Sequence, residues 1–90
     1  MSRTGVDSPA LRAACGARRA RNRWRIYEAL EKAGTNGAAI AKQLGLTRAG
    51  VCKVITGNGH SPVVLDALRE AGVPEKYLYD PRRMTAKEVA

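Results

Sequence analysis

The chain has 90 residues and is 44% hydrophobic, with one Trp, three Tyr and no Phe. That length holds one small domain plus tails, and a core too modest to wall in most enzyme clefts. Lys and Arg total 16 against 8 Asp and Glu, a formal net charge of +8, which points to a polyanion as partner.

Residues 1–20 read as a basic, weakly ordered arm. Ser8 and Pro9 form a helix-start signal, but Gly16 interrupts the helix they would begin. The arm and the residues just after it hold the charge excess: residues 1–25 contain Arg3, Arg12, Arg18, Arg19, Arg21, Arg23 and Arg25 against Asp7 alone. A solvated tail is the plain alternative to a phosphate-binding arm.

The spacing predicts a first helix over residues 21–33, with Ile26, Ala29, Leu30 and Ala33 inward and Gly34 just past its end. Glu28 and Lys32 stand four apart in the favourable order. Trp24 and Tyr27 extend the apolar stripe with their polar tips near the surface. Thr35 or Asn36 caps a second helix, 37–44, whose inward residues are Ile40, Ala41 and Leu44. Gly45 ends it, and Thr47 caps a third helix, 48–55. Gly57-Asn58-Gly59 is a loop. Ser61-Pro62 starts a fourth helix that runs to about residue 71, with Val64, Leu65, Leu68 and Ala71 inward. Pro74 begins a last short turn, 75–79, stopped by Asp80-Pro81. Residues 81–90 are a tail with a weak capping box, Thr85 with Glu88. Strand alternation is absent, so the expected class is all-α with five helices.

Residues 37–54 match the packing demands of a helix-turn-helix. Ile40, Ala41, Leu44, Gly45, Leu46, Val51 and Val54 supply the apolar locks, the small crossing residue and a turn position tolerant of positive φ. With Val51, Val54 and Ile55 inward, the outer face of the third helix carries Arg48, Ala49, Cys52 and Lys53. Thr47, Arg48, Ala49, Cys52 and Lys53 are the candidate base readers: Arg and Lys reach guanine, and Ala or the Thr methyl meets a thymine methyl. Gly50 lets a backbone come close, either a nucleic acid's or a neighbouring helix's. Candidate phosphate contacts are Arg18, Arg19, Arg21, Arg23 and Arg25, the helix start at Asn36 and Gly37, and the Asn58, His60 and Ser61 loop. Glycine's conformational freedom also accounts for Gly57-Asn58-Gly59 without any ligand.

Other chemistry is poorly supported. His60 lacks an oriented partner and reads as a surface residue rather than a catalyst. Asp66 and Glu70 read as a solvated helix face. Cys15 and Cys52, with a single histidine, do not make a zinc pattern, so neither metal nor cofactor is expected. The thiols suit a reducing cytosol. Neither a membrane span nor an apolar export signal is evident.

The stretch AIAKQLGLTRAGVCKVITGNG, followed by another capped helix, resembles the lambda-repressor/Cro class of DNA-binding domains over about residues 21–79. With HSPVVLDALREAGVPEKYLYDPR attached, it is similar to small regulators of Mu-like phages, the BcepMu type, and more loosely to Ner-type repressors. The resemblance implies a phage or prophage transcription factor that binds operator DNA with its third helix. The implied base contacts fall on Thr47, Arg48, Ala49, Cys52 and Lys53. Where that class often carries a phosphate-touching glutamine, this chain has Gly37, and its readers Ala49 and Cys52 are small.

The expected organisation is therefore a basic arm (1–20), a five-helix lambda-repressor-like helix-turn-helix domain (21–80) and a tail (81–90). The expected function is non-enzymatic, sequence-specific binding of double-stranded DNA in a bacterial host's cytoplasm, with a homodimer on a palindromic site and no small-molecule substrate. The alternative is a protein-interaction or DNA-handling assembly module of a phage with little sequence specificity. RNA binding is disfavoured by the scarcity of aromatic side chains.

Overall fold

The structure, a computed structural model, describes residues 9–84. Arg3, Asp7, the Ser8 cap and the Thr85–Glu88 capping box lie outside the described residues. Among the described residues every regular element is helical: α1 (Pro9–Arg21), α2 (Arg23–Lys32), α3 (Gly37–Leu44), α4 (Arg48–Ile55), α5 (Pro62–Glu70), α6 (Glu75–Leu78) and a 3₁₀ turn, Pro81–Arg83.

The three central helices start where side-chain caps place them. Asn36 Oδ1 accepts from the Ala39 N–H at 2.8 Å, Thr47 Oγ1 from Gly50 at 3.0 Å and Ser61 Oγ from Val64 at 3.3 Å. Each satisfies one amide that the first helical turn leaves without a partner. Between α3 and α4 the chain must reverse in three residues, and Gly45 does so in the left-handed region at φ 71°. A side chain there would strain the backbone. The Leu46 N–H closes the turn on the Ala41 carbonyl at 2.8 Å.

The main core cluster is built around four helices. Ile26 and Leu30 of α2, Ile40 and Ala41 of α3, and Val51, Val54 and Ile55 of α4 meet Val64, Leu65, Ala67 and Leu68 of α5, with Val73 and Leu78 closing the far side. Ala29, Leu44 and Ala71 pack at its edge. Two expected core positions differ. Ala33 is exposed because α2 ends at Lys32. Leu46 is 45% exposed, because the left-handed turn at Gly45 faces it outward while Leu44 keeps the contact.

The larger difference is α1. Gly16 does not interrupt it: residues 9–21 form one continuous helix. Leu11, Cys15 and Arg19, four residues apart, line its buried side. Leu11 and Cys15 form a second apolar cluster with Tyr79 and Met84. Gly16 lies against Gly57, where a Cβ on Gly16 would stand 2.5 Å from the Gly57 carbonyl oxygen. The glycine is a contact point between two backbones rather than a break. Likewise Gly57, at φ 82° and pressed on Gly16, is required by the fold itself.

Arg19 fixes α1 to the rest. It is 1% exposed, and its guanidinium donates from Nη1 to the Val54 carbonyl at 2.8 Å, from Nε to Leu78 at 2.6 Å and from Nη2 to Tyr79 at 3.1 Å. One side chain thus ties the last turn of α4 to the end of α6, where Tyr79 turns left-handed at φ 46°. Burial lowers the Arg19 pKa, and the neighbouring Cys15 and Asp80 oppose that. Arg19 is therefore corrected from a phosphate contact to a structural residue: its donors are engaged inside the protein.

Candidate nucleic-acid interface

The candidate readers sit on α4 as its three inward residues dictate. Val51, Val54 and Ile55 are buried, and Arg48, Ala49 and Lys53 are exposed with Thr47 at the helix start. Cys52 is half-buried. It neighbours Tyr27 of α2, whose hydroxyl pKa is raised by burial first and by the adjacent Cys52 thiol second. The Thr47 hydroxyl oxygen accepts the capping bond, which leaves its O–H and its methyl facing outward. A Cβ on Gly50 would meet only Thr47 Oγ1, at 3.3 Å. Among the described residues no helix presses on Gly50.

Two sets of residues flank α4. On the Arg48 and Cys52 side, a cleft of about 420 Å³ is lined by Tyr27, Asn36, Gly37, Ala38, Arg48 and Cys52. Asn36 is exposed, with its side-chain oxygen used in capping α3, whereas Gly37 is buried over Val51. On the Lys53 side lies the loop after α4. A Cβ on Gly59 would be 3.4 Å from Lys53 Cβ. Asn58 is exposed, and its amide donates to Thr56 Oγ1 at 3.3 Å. Ser61 caps α5, and His60 is exposed beside Arg12. The His60 pKa is lowered, by partial desolvation first and then by the positive field of Arg12 and Arg19, with Asp80 opposing. At neutral pH His60 is an uncharged donor or acceptor.

The remaining arginines are distributed unevenly. Arg23 donates to the Ala20 carbonyl at 2.8 Å and lies over the Trp24 ring, 5.1 Å from its centre. Arg25 is held against Glu28 at 3.5 Å, in place of the expected Glu28–Lys32 pair. Arg18 is half-buried and Arg21 is exposed at the end of α1. Sequence reasoning missed the aromatic edge: Trp24 is 67% exposed and 5.8 Å from Tyr27 between ring centres. The break at Asn22 starts α2 at Arg23 and leaves Trp24 off the buried Ile26 and Leu30 stripe.

Carboxylates are gathered elsewhere. Asp66 does not form a bare solvated face: it pairs with Arg69 and with Arg82, both at 2.7 Å. Arg69 reaches Glu75 at 2.6 Å and Asp80 at 3.0 Å, and Arg82 reaches Asp80 at 2.7 Å. Burial alone would raise the Asp80 pKa, but hydrogen bonds from Arg82 and Arg69 hold it down at about 2. This knot neutralises positive charge on the α5, α6 and 3₁₀ side. In contrast, α1, α3 and α4 carry no acidic residue. The surplus charge therefore falls on α1, α3 and α4.

Among the described residues, no group of His, Cys, Asp and Glu is placed to hold a metal ion, and no helix is long and apolar enough to cross a membrane. No protein-family model, curated protein or solved structure matches the chain.

Proposed function

We propose that this chain is a lambda-repressor-like helix-turn-helix protein that binds double-stranded DNA, a phage or prophage transcriptional regulator rather than an enzyme. In this reading α3, the Gly45 turn and α4 are the motif, and α4 enters the major groove. The observation that carries it is the α4 face. Arg48, Ala49 and Lys53 stand exposed on a helix without carboxylates. That face lies between the capped start of α3 on one flank and the Asn58–Ser61 loop on the other. A reading helix with phosphate-facing groups on both sides is the arrangement such proteins use.

Arg48 in the first turn reaches a base edge, Lys53 one turn on reaches a guanine or a phosphate, and Ala49 meets a thymine methyl. One observation favours weak base discrimination. Ala49 is apolar and Cys52 is half-buried beside Tyr27, which leaves few polar readers. A DNA-handling module with little sequence preference is therefore the second reading.

Selection of binding sites from random duplex DNA separates them. The regulator reading expects an enriched site, and a palindromic one would indicate a homodimer. On that site Arg48→Ala should lose about 1–3 kcal/mol and relax one base pair, with a smaller effect on a scrambled duplex. Enrichment of no sequence, with equal losses on both duplexes, supports the second reading. No duplex binding at low salt refutes both.

A further inference from the structure

We propose that the shelf formed by Arg23, Trp24 and Tyr27 on α2 is a second DNA contact, which grips the sugar–phosphate backbone beside the groove that α4 occupies. The inference rests on the duplex-binding reading above and names a part of the interface that the helix-turn-helix residues do not include.

Three observations meet at this place. First, Trp24 is the one tryptophan of the chain and is 67% exposed, on a helix whose inward stripe is already filled by Ile26 and Leu30. It contributes little to the core where it stands. Second, it has ordered neighbours. Arg23 is anchored to the Ala20 carbonyl at 2.8 Å and lies over the indole, and the Tyr27 ring is tilted beside the indole at 5.8 Å. A fixed guanidinium on an exposed indole offers a cation, a flat apolar surface and one N–H donor, with little freedom to lose on binding. Third, the shelf is continuous with the reading helix. Tyr27 and Asn36 line both the cleft beside Trp24 and the cleft beside Arg48 and Cys52.

The chemistry selects a polyanion over an apolar partner. No carboxylate lines the cleft beside Arg48. Glu28 and Glu31 line the cleft beside Trp24, where Arg25 pairs with Glu28 at 3.5 Å, so the proposed phosphate path follows the Arg23 and Arg48 edges of the shelf and not the floor of that cleft. A phosphodiester running from Arg48 to Arg23 meets positive charge at both ends, and a deoxyribose packs on the indole between them. That contact is blind to sequence.

The single tryptophan makes the test direct. A fluorescently end-labelled, random-sequence duplex is titrated into the full chain at low salt. Label anisotropy reports binding, and acrylamide quenching of Trp24 reports shielding. Shielding that rises with anisotropy is expected. Trp24→Ala, checked for folding by circular dichroism, should weaken binding to preferred and scrambled duplexes alike by about fivefold, the weight of one modest surface contact. Trp24→Phe should recover part of that loss. If anisotropy rises while Trp24 stays equally open to acrylamide, the shelf does not touch DNA, although the duplex-binding reading stands. If anisotropy does not rise, that reading fails and takes this one with it. Shielding that depends on protein concentration without DNA overturns the proposal in favour of a second copy of the chain. Better shielding by a single strand than by the duplex overturns it in favour of base stacking.

Discussion

Replacing Arg19 by Met tests whether α1 is part of the folded unit or an appendage. Met keeps most of the apolar stem and removes the guanidinium. Two buried carbonyls, of Val54 and Leu78, and the part-buried carbonyl of Tyr79 then lose their donor. A buried acceptor left without a partner costs about 1–3 kcal/mol, so the two buried ones alone imply at least ~2 kcal/mol, and the third brings the expectation to about 3–5 kcal/mol. Relief from no longer burying a charge reduces this, but the Val54 and Leu78 carbonyls have no access to replacement water unless α1 lifts. A domain of this size holds roughly 5–10 kcal/mol in total, and 1 kcal/mol moves its Tm by about 4–8 °C. Arg19→Met should therefore melt at least ~12 °C below the parent, followed by circular dichroism at 222 nm. Arg21→Met, at an exposed position on the same helix, should change Tm by no more than a few degrees. Equal effects of the two substitutions, or a Tm for Arg19→Met within about 3 °C of the parent, would refute the reasoning. Deletion of residues 1–20 should likewise unfold the chain rather than merely lower its affinity for DNA.

Two further outcomes rest on the same packing. The Asp80 carboxyl sits at about 2 against an ordinary 3.8, so its depressed pKa stabilises the fold fully above about pH 5. That contribution, about 2 kcal/mol, is lost as pH falls through 2. Urea unfolding of Asp80→Asn should show the loss already at pH 7 and a flatter decline between about pH 5 and 2 than the parent. Gly16→Ala should destabilise by roughly 1–3 kcal/mol despite alanine's better helix propensity, because the new methyl meets the Gly57 backbone; a rise in urea midpoint would show that α1 and the Gly57 loop are free to separate.

The helices flanking the Gly45 turn were legible because each carries its own signals. Asn36, Thr47 and Ser61 cap by local hydrogen bonds, and the predicted bounds of 37–44 and 48–55 coincide with α3 and α4. The inward positions of α4 are recovered in full because its apolar residues fall on one side. What could not be read depended on partners distant in sequence. The acceptors of Arg19 lie 35, 59 and 60 residues away. An arginine at a core spacing among solvated arginines looks like one more surface charge. The same applies to Gly16, whose reason for being small is Gly57. In the candidate interface, α4 and the caps were visible in advance, whereas the placement of Tyr27 beside Cys52 and the exposed Trp24 needed the register of α2, which turns on the break at Asn22.

The attachment of α1 also sets an order of events during synthesis. Its thirteen residues leave the ribosome before any of the carbonyls that Arg19 needs have been made. Until residue 79 emerges, Leu11 and Cys15 have no Tyr79 to cover them, and the helix is too short to persist alone in water. Of the described helices, the earliest made is thus the last to settle. A chain caught before that closure presents an apolar, thiol-bearing strip to the cell, and the rate at which α6 and the 3₁₀ turn form limits how long that exposure lasts.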